Sequence, residues 1–590
     1  MSSSNENLQN KRHSLAHLLA AAVMQLYPDT KRTIGPAVDD GFYFDFEFSK
    51  PVSDSDLEKI EAKMREILPT WSTFERHELS AEDAKKEYPG NEYKEELSNE
   101  FTQNGEQVTF YKSGDYWDLC KGGHVENMSE IDPGSFKLSR IAGAYWRGNE
   151  KNTMLTRIYG LAFDTKAELD AHLAMLEEAK LRDHRKLGQD LDLFVFSETV
   201  GKGLPLWTAK GATIRRELER FITDEEIKRG YTHVLTPDIA KLDLYKKSGH
   251  YPYYKDSMYA PIQIDDEEFM LRPMTCPHHF ELYLSKPHSY KELPIRYAEL
   301  AKLYRYEQSG ELSGLIRVRQ FCLADAHIVC NSNEQAKQEV EQALDLIEYV
   351  AQIFGLKMGE NYWYRLSLGD RSNTEKYYND PSAWDDAEQK LREVLQKRNA
   401  VFIEAEAEAA FYGPKIDIQM KNVLGKDDTA FTVQYDFVMA KRFDLKFKNE
   451  QGQDEPVPAI IHRSSIGAIE RVFAFLIEYT AGNFPVWLAP TQVTIVPISD
   501  DHIEFAEKMV LEAIKSEIPT ARIELDTRKE SMGKKIREAS KQKVPYILII
   551  GDKERDAMSV AVRGRGDQDL GVMSIAEFAQ KLKQEIDTKA

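Results

Sequence analysis

Two pairs of side chains near the amino terminus have the types and the spacing for chemistry. His13-x-x-x-His17 sets two imidazoles one helical turn apart, and Asp118-Leu119-Cys120-Lys121-Gly122-Gly123-His124 gathers a carboxylate, a thiol and a third imidazole. By residue type, His13, His17, Cys120 and His124 make a zinc donor set. They equally suit a metal-free pocket in which imidazoles hold a water against a reactive ester. Two glycines before His124 allow close backbone approach to a ligand. A second group is dispersed. Cys276, His327 and His462 are too far apart in sequence for any local zinc motif, so only the surrounding segments can link them.

The elements that must carry these groups are partly visible. At about 100° per residue, Leu15, Leu18, Leu19, Ala22 and Leu26 share one stripe, while His13, His17 and Met24 point the opposite way. This predicts a helix with a core face and a second, functional face. Strand-like runs over 41–46 and 108–111 make residues 1–164 an α+β domain. Thr165-Lys166-Ala167-Glu168 is a capping box that opens a connecting helix, giving a linker over 165–189. Residues 190–487, with a helix over 333–354 and a strand over 432–437, predict an antiparallel sheet with flanking helices. In 488–590, strands over 493–498, 522–526, 546–550 and 559–563 alternate with helices over 501–516, 530–541 and 574–586, predicting a small α/β domain.

Composition narrows the function classes. The 590 residues are 42% hydrophobic, enough for several ordinary cores, and a net charge of −20 disfavours indiscriminate nucleic-acid binding. Specific binding then needs local basic patches, for which Lys534-Lys535-Ile536-Arg537 with Lys541 and Lys543, and Arg563-Gly564-Arg565, are candidates. Four cysteines are too few for a disulfide framework, and Cys322 and Cys330 are expected as core thiols. His278 and His279 are expected as ordinary helix residues outside the metal set. A polar amino terminus and the lack of any long apolar run predict a cytoplasmic protein without a membrane segment.

Arg305-Tyr306-Glu307, followed by Arg317-Val318-Arg319-Gln320-Phe321, resembles motif 2 of class II aminoacyl-tRNA synthetases, R-x-E then R-x-x-x-F. Gly467-Ala468-Ile469-Glu470-Arg471 resembles motif 3, and Pro237 after Gly230-Tyr231-Thr232-His233-Val234 resembles the end of motif 1. Forked guanidinium donors suit the charge that builds on the α-phosphorus in adenylate formation. Over nearly its whole length the chain resembles the threonyl-tRNA synthetase family. The histidine and cysteine pairs match its editing domain, Asp183-His184-Arg185-Lys186-Leu187-Gly188 its linker, and Phe411 to Asp417 with Thr432 to Phe437 its catalytic core. Trp487-Leu488-Ala489-Pro490 matches the entry to its anticodon-binding domain.

That resemblance implies an α/β and α+β multidomain fold: a class II antiparallel sheet core with helices, an α+β editing domain and a small α/β anticodon-binding domain. It implies ATP-dependent ligation of L-threonine to tRNA(Thr) through threonyl-adenylate, with hydrolytic editing of seryl-tRNA(Thr). A zinc ion on Cys276, His327 and His462 would recognise the threonine hydroxyl. Arg305 would bind the α-phosphate and carboxylate, Glu307 the adenine amino group, Phe321 and Arg471 the two adenine faces, and Arg317 the γ-phosphate. Asp325 would accept from the threonine hydroxyl, with Tyr412, Lys415 and Gln434 lining the pocket, and ATP would enter with magnesium. His13, His17, Cys120 and His124, with Lys94 and Asp118, would form the editing pocket without a catalytic metal. Glu554 and Arg563 would read anticodon bases. Pairing through motif 1 would make a homodimer.

The sequence departs from the family at Leu323-Ala324, where a polar Gln-Asp pair is common, at Gly123, where proline is common, and at Ser465, where motif 3 carries a first glycine. The small ubiquitin-like domain that often precedes the editing domain is expected to be missing. Two rival readings are a non-catalytic tRNA-binding paralogue and a hydrolase acting through the amino-terminal domain alone.

Overall fold

The computed structural model describes residues 3–103 and 108–589. The chain divides into two compact units, Met1–Glu177 and Glu178–Ala590. The boundary falls inside the capping-box helix, which runs from Lys166 to Arg182 and is opened by reciprocal bonds between Thr165 and Glu168.

In the first unit the helix Ser3–Leu26 packs on a sheet whose longest strands are Gly41–Glu47, Phe136–Tyr145 and Met154–Ala162. Phe42, Phe44 and Phe46 project into the core with Leu15, Leu18 and Leu19. The helix is enclosed on both sides: His17 is as buried as the leucines, so the expected second face meets an aromatic pocket. A smaller sheet, Glu75–Leu79, Val108–Ser113 and Tyr116–Leu119, carries the chain to Cys120.

The second unit is built on eight strands: β1 Thr232–His233, β2 Ile295–Tyr304, β3 Gln320–Cys330, β4 Tyr362–Ser367, β5 Phe402–Ala405, β6 Lys415–Lys421, β7 Asp427–Asp436 and β8 Ala459–Ala468. Their spatial order is β1-β2-β3-β8-β7-β6-β4-β5. The interior pairs are antiparallel as the sequence predicts, but both edge pairs, β1 with β2 and β4 with β5, are parallel. Strand β8 is buried along almost its entire length, as expected for a central strand. The helix Asn333–Ile353, N-capped by the Ser332 hydroxyl, packs on β7 and β8 through Ala336, Val340, Ala343, Leu344 and Ile347. Ser465 has a structural reason: its hydroxyl and the Arg463 guanidinium both donate to Glu226 Oε1, at 2.7 and 2.6 Å, tying β8 to the helix Ala209–Lys228.

The carboxy-terminal part of this unit has a five-stranded sheet with the strand Val493–Pro497 between Ile523–Leu525 and Tyr546–Ile550 in parallel, then Ser559–Arg563 and Asp569–Ser574 antiparallel. The last strand and the short helix Asp552–Asp556 were not legible in the sequence pattern.

Candidate functional sites

Sheet register explains how the dispersed residues meet. His327 on β3 lies opposite His462 on β8, His462 opposite Gln434 on β7, and Gln434 opposite Lys415 on β6. Four adjacent strands thus present one row of side chains to one face. Alternation adds Asp325 to that face from β3. Cys276 enters as the first residue of the helix Cys276–Leu284. A cavity of about 350 Å³ results, lined by all twelve synthetic-site residues named from the sequence: Cys276, Arg305, Glu307, Arg317, Phe321, Asp325, His327, Tyr412, Lys415, Gln434, His462 and Arg471. Leu323 also lines it, whereas Ala324 faces the core.

The Cys276, His327 and His462 donor atoms lie within 4.8 Å of one another, and all three residues are buried. Their hydrogen bonds suit a metal. His462 Nε2 lies 2.7 Å from Asp436 Oδ2, so it carries the proton and leaves Nδ1 as a donor. His327 Nδ1 lies 2.8 Å from His279 Nδ1, and His279 Nε2 lies 3.2 Å from Glu299 Oε2. With Glu299 as the final acceptor, His279 holds its proton on Nε2 and His327 on Nδ1, leaving His327 Nε2 as a donor. Carboxylate-backed imidazoles of this kind are what zinc sites use. His279 is therefore corrected from an ordinary helix residue to the group that orients a donor. It stands three residues after Cys276 on the same helical face, a spacing that could have flagged it. Burial pushes the Cys276 thiol up and His327 down, the latter reinforced by His462.

The other end of the cavity is cationic. The Arg305 guanidinium stacks 5.1 Å above the Phe321 ring. Arg471 donates to the Thr429 and Ile316 carbonyls at 2.8 and 3.2 Å. Among the described residues neither arginine has a carboxylate within ion-pair distance, and burial, with Arg305 acting on Arg471, lowers both from the ordinary value. Half-buried guanidiniums with no carboxylate partner favour an incoming anion. Arg317 is half exposed, 3.9 Å from Glu307 and 3.8 Å from Glu311. Tyr412 stacks on His462 and donates to Gln434 Oε1 at 2.5 Å, while Lys415 contacts Asp417.

In the first unit His13, His17, Cys120 and His124 also converge, with donor atoms within 4.8 Å of one another. Cys120 Sγ is 3.3 Å from His124 Nε2 and 3.6 Å from His13 Nε2. His13 stacks on one side of the His124 ring and Phe74 stacks 3.9 Å away. Gly122 has φ +101°, and a Cβ there would lie 2.5 Å from Tyr111 Oη, so the turn requires glycine. Burial lowers His13, lowers His17 strongly with help from His124, and takes His124 down to about 3; it raises Cys120 to about 12. These imidazoles are neutral proton acceptors at pH 7. His17 Nδ1 is buried without a hydrogen-bond partner.

Lys94 and Asp118 form an ion pair beside the imidazoles. Lys94 Nζ lies 2.8 Å from Asp118 Oδ1, and the carboxylate also accepts from Tyr88 Oη, Tyr116 Oη and the Leu119 N–H at 2.6, 2.8 and 2.9 Å. Arg32 lies 3.4 Å away. With its acceptor sites occupied, Asp118 anchors the strand leading to Cys120. Glu554 and Arg563 lie far along the chain in the carboxy-terminal sheet region: Glu554 accepts from the Gly551 N–H at 2.9 Å, and Arg563 ends the strand Ser559–Arg563. The expected basic run is broken up, since Lys535 is buried and donates to the Asp526 carbonyl at 2.9 Å while Lys534 pairs with Glu530.

Comparison with known proteins identifies the domains that carry these sites. Residues 259–480 match the tRNA synthetase class II core domain (G, H, P, S and T), 492–585 the anticodon binding domain, and 108–159 the threonyl and alanyl tRNA synthetase second additional domain. A threonine–tRNA ligase of Clostridium botulinum is 47% identical over 588 residues, covering 99% of this chain and 90% of the relative. One of Geobacillus sp. is 48% identical over 584 residues, covering 98% and 89%. Among solved structures, the RNA binding domain of threonyl-tRNA synthetase from Cryptosporidium parvum matches with TM-score 0.63 and 34% identity, covering 68% of this chain and 98% of that one. Class II core, editing-type domain and near-full-length identity coincide with a cavity that joins metal donors to anion-seeking arginines, and the chain belongs to the threonine–tRNA ligase family of class II aminoacyl-tRNA synthetases.

Proposed function

We propose that this chain activates L-threonine with ATP, transfers it to tRNA(Thr), and hydrolyses seryl-tRNA(Thr) in a second site. The observation that carries the reading is the single cavity in which the row His327, His462, Gln434 and Lys415 meets Arg305 and Arg471, half-buried and without carboxylate partners among the described residues. Phe321 and Arg471 sandwich adenine, Glu307 accepts from its amino group, Arg305 holds the α-phosphate against the threonine carboxylate, and Arg317 with magnesium steadies the γ-phosphate. A threonine carboxylate oxygen attacks the α-phosphorus and pyrophosphate leaves. The terminal ribose hydroxyl of the tRNA then displaces AMP. Forked donors fixed in advance stabilise the charge that builds at phosphorus.

Cys276, His327 and His462 would hold zinc, which when bound would supply Lewis-acidic coordination for the threonine amino and hydroxyl groups; valine has no hydroxyl to offer it. Asp325 accepts from the substrate hydroxyl, and Tyr412, Lys415 and Gln434 wall the pocket. Serine keeps the hydroxyl, and one missing methyl discriminates by only about 1–3 kcal/mol. Hydrolysis of the mischarged ester therefore falls to residues 1–164, where a neutral imidazole among His13, His17 and His124 takes the proton of an attacking water beside Cys120. Glu554 and Arg563 in 488–590 contact anticodon bases, the catalytic part spans 190–487, and 165–189 is the linker. Exposed Leu235 (89%), Ile239, Ile262 and Ile264, at and after the motif 1 segment, support pairing of two copies there. No helix among the described residues is long and apolar enough to cross a membrane, in keeping with a role in the cytoplasm.

The test is ATP–pyrophosphate exchange with threonine, serine and valine on metal-replete and chelator-treated protein, beside hydrolysis of seryl-tRNA(Thr). Zinc-dependent exchange with threonine, weaker with serine and absent with valine, is expected. No exchange with any amino acid would overturn the ligase reading.

A further inference from the structure

We propose that His184, in the linker, is a positioning residue for ATP binding, acting through the backbone of the loop that carries Arg317. The inference rests on the ligase reading above and deepens it. His184 is the first residue of the helix His184–Asp190, which is N-capped by Asp183, and its ring is buried. Nδ1 lies 2.7 Å from Glu478 Oε1, and Nε2 lies 3.0 Å from the Leu315 amide nitrogen. A backbone N–H only donates, so Nε2 is the acceptor and the ring proton sits on Nδ1, facing Glu478. The imidazole is thereby a neutral bridge of fixed tautomer between the helix Ile469–Thr480, which also carries Arg471, and the loop between β2 and β3.

The loop is shaped to receive that ring. Gly314 has φ +48°, and a Cβ there would lie 2.1 Å from His184 Nε2, so the chain passes too close for any side chain. The next residues line the ATP cavity: Leu315 is fully buried, the Ile316 carbonyl accepts from Arg471 Nε at 3.2 Å, and the half-exposed Arg317 follows. His184 and Arg471 thus pin the Gly314–Leu315 and Ile316–Arg317 peptides, and the first side chain beyond the two pins is the one that reaches for the terminal phosphate. Without the imidazole, the Leu315 N–H would be a buried donor with no partner, and the loop would lose its fixed starting point.

Three variants of the full chain test this by threonine-dependent ATP–pyrophosphate exchange. In His184→Asn the amide still donates to Glu478 but leaves no acceptor where Nε2 stood. In His184→Gln an acceptor returns near that place. In Gly314→Ala the histidine is intact but its contact is blocked. H184N and G314A are expected to raise the KM for ATP about tenfold with the KM for threonine nearly unchanged, and to lower the melting temperature by only a few degrees. H184Q is expected to recover most of the ATP affinity. The proposal is overturned if H184N and G314A leave the KM for ATP unchanged, if both substrates' KM values rise together with a fall in melting temperature, or if H184Q is no better than H184N. Wild-type protein that exchanges normally beside such variants sinks this inference alone; wild-type protein that fails to exchange sinks the ligase reading and this inference with it.

Discussion

Asp118→Asn isolates the charge beneath the editing pocket. The side chain keeps its shape and one carbonyl oxygen, and Tyr116 Oη can turn to accept from the new amide. What is lost is the counter-ion of Lys94, only 3% exposed in its side chain against 1% for Asp118, so solvent does not screen the pair. Removing one partner of a buried ion pair costs about 3–5 kcal/mol because the remaining charge has no compensation. That is a large part of the roughly 5–15 kcal/mol that holds a typical domain folded. The loss falls on the first unit, whose Cys120 and His124 follow Asp118 directly in the chain. The assay is urea denaturation with seryl-tRNA(Thr) hydrolysis as the local readout and threonine-dependent exchange as the control in the second unit. Hydrolysis should fail at lower urea in the variant, with exchange unchanged. The pH dependence carries a sign. Burial pushes the Asp118 carboxyl up, but Lys94 and Arg32 outweigh it and hold the group well below the usual carboxylate range. Its contribution is therefore complete above the unfolded value of about 3.9 and is lost as pH falls through the lower folded value. The gap between wild type and D118N should stay constant above about pH 4 and narrow only in stronger acid. A variant within about 0.5 kcal/mol of wild type at neutral pH, the range of an ordinary surface substitution, would refute the reasoning.

His279→Ala should weaken zinc binding about 10–100-fold by freeing the His327 ring, measured by competition with a chelator of known affinity; unchanged affinity would exclude the orienting role. Seryl-tRNA(Thr) hydrolysis should be nearly as fast at pH 5.5 as at pH 7.5, because burial lowers His17 strongly and takes His124 down to about 3, so that these two stay neutral in the folded unit. A half-loss near the ordinary imidazole value of about 6.5 would contradict this. The same lowered values mean that the unfolded chain takes up protons first, so the unit's stability should begin to fall as pH drops through about 6.5 in a denaturation series. Glu226→Ala strands Arg463, whose side chain is 0% exposed, and should destabilise the second unit by about 3–5 kcal/mol in chemical denaturation.

Local signals carried much of this molecule. The capping box at Thr165, the strands around Phe42 and Tyr435, and the helix behind Ser332 follow from caps and periodicity, and the structure contains each of them. The convergence of Cys276, His327 and His462 was invisible to spacing because it is a property of register across β3 and β8, which sequence distance does not encode. Only the likeness of the surrounding motifs tied those residues together. His279 and Asp436 escaped for a related reason: each acts on a donor carried by a different element, His279 from a helix and Asp436 from the neighbouring strand. Lys94 and Asp118 were named as pocket residues only through the likeness to the family's editing domain, and their mutual ion pair depends on burial that composition does not reveal. The parallel edge pairs of the central sheet were likewise hidden, because a two-residue strand such as β1 has too short a pattern to read.

His17 Nδ1, a polar atom sealed among aromatic rings without a partner, sets a conflict between durability and proofreading. An unmet nitrogen of this kind costs about 1–3 kcal/mol, so an apolar residue of similar size would give a hardier fold. Under the editing role proposed for His17, selection for heat resistance alone would discard the histidine, and the survivor would be a sturdier protein that lets serine into threonine codons. Fidelity would then be held by a residue the fold would be more stable without.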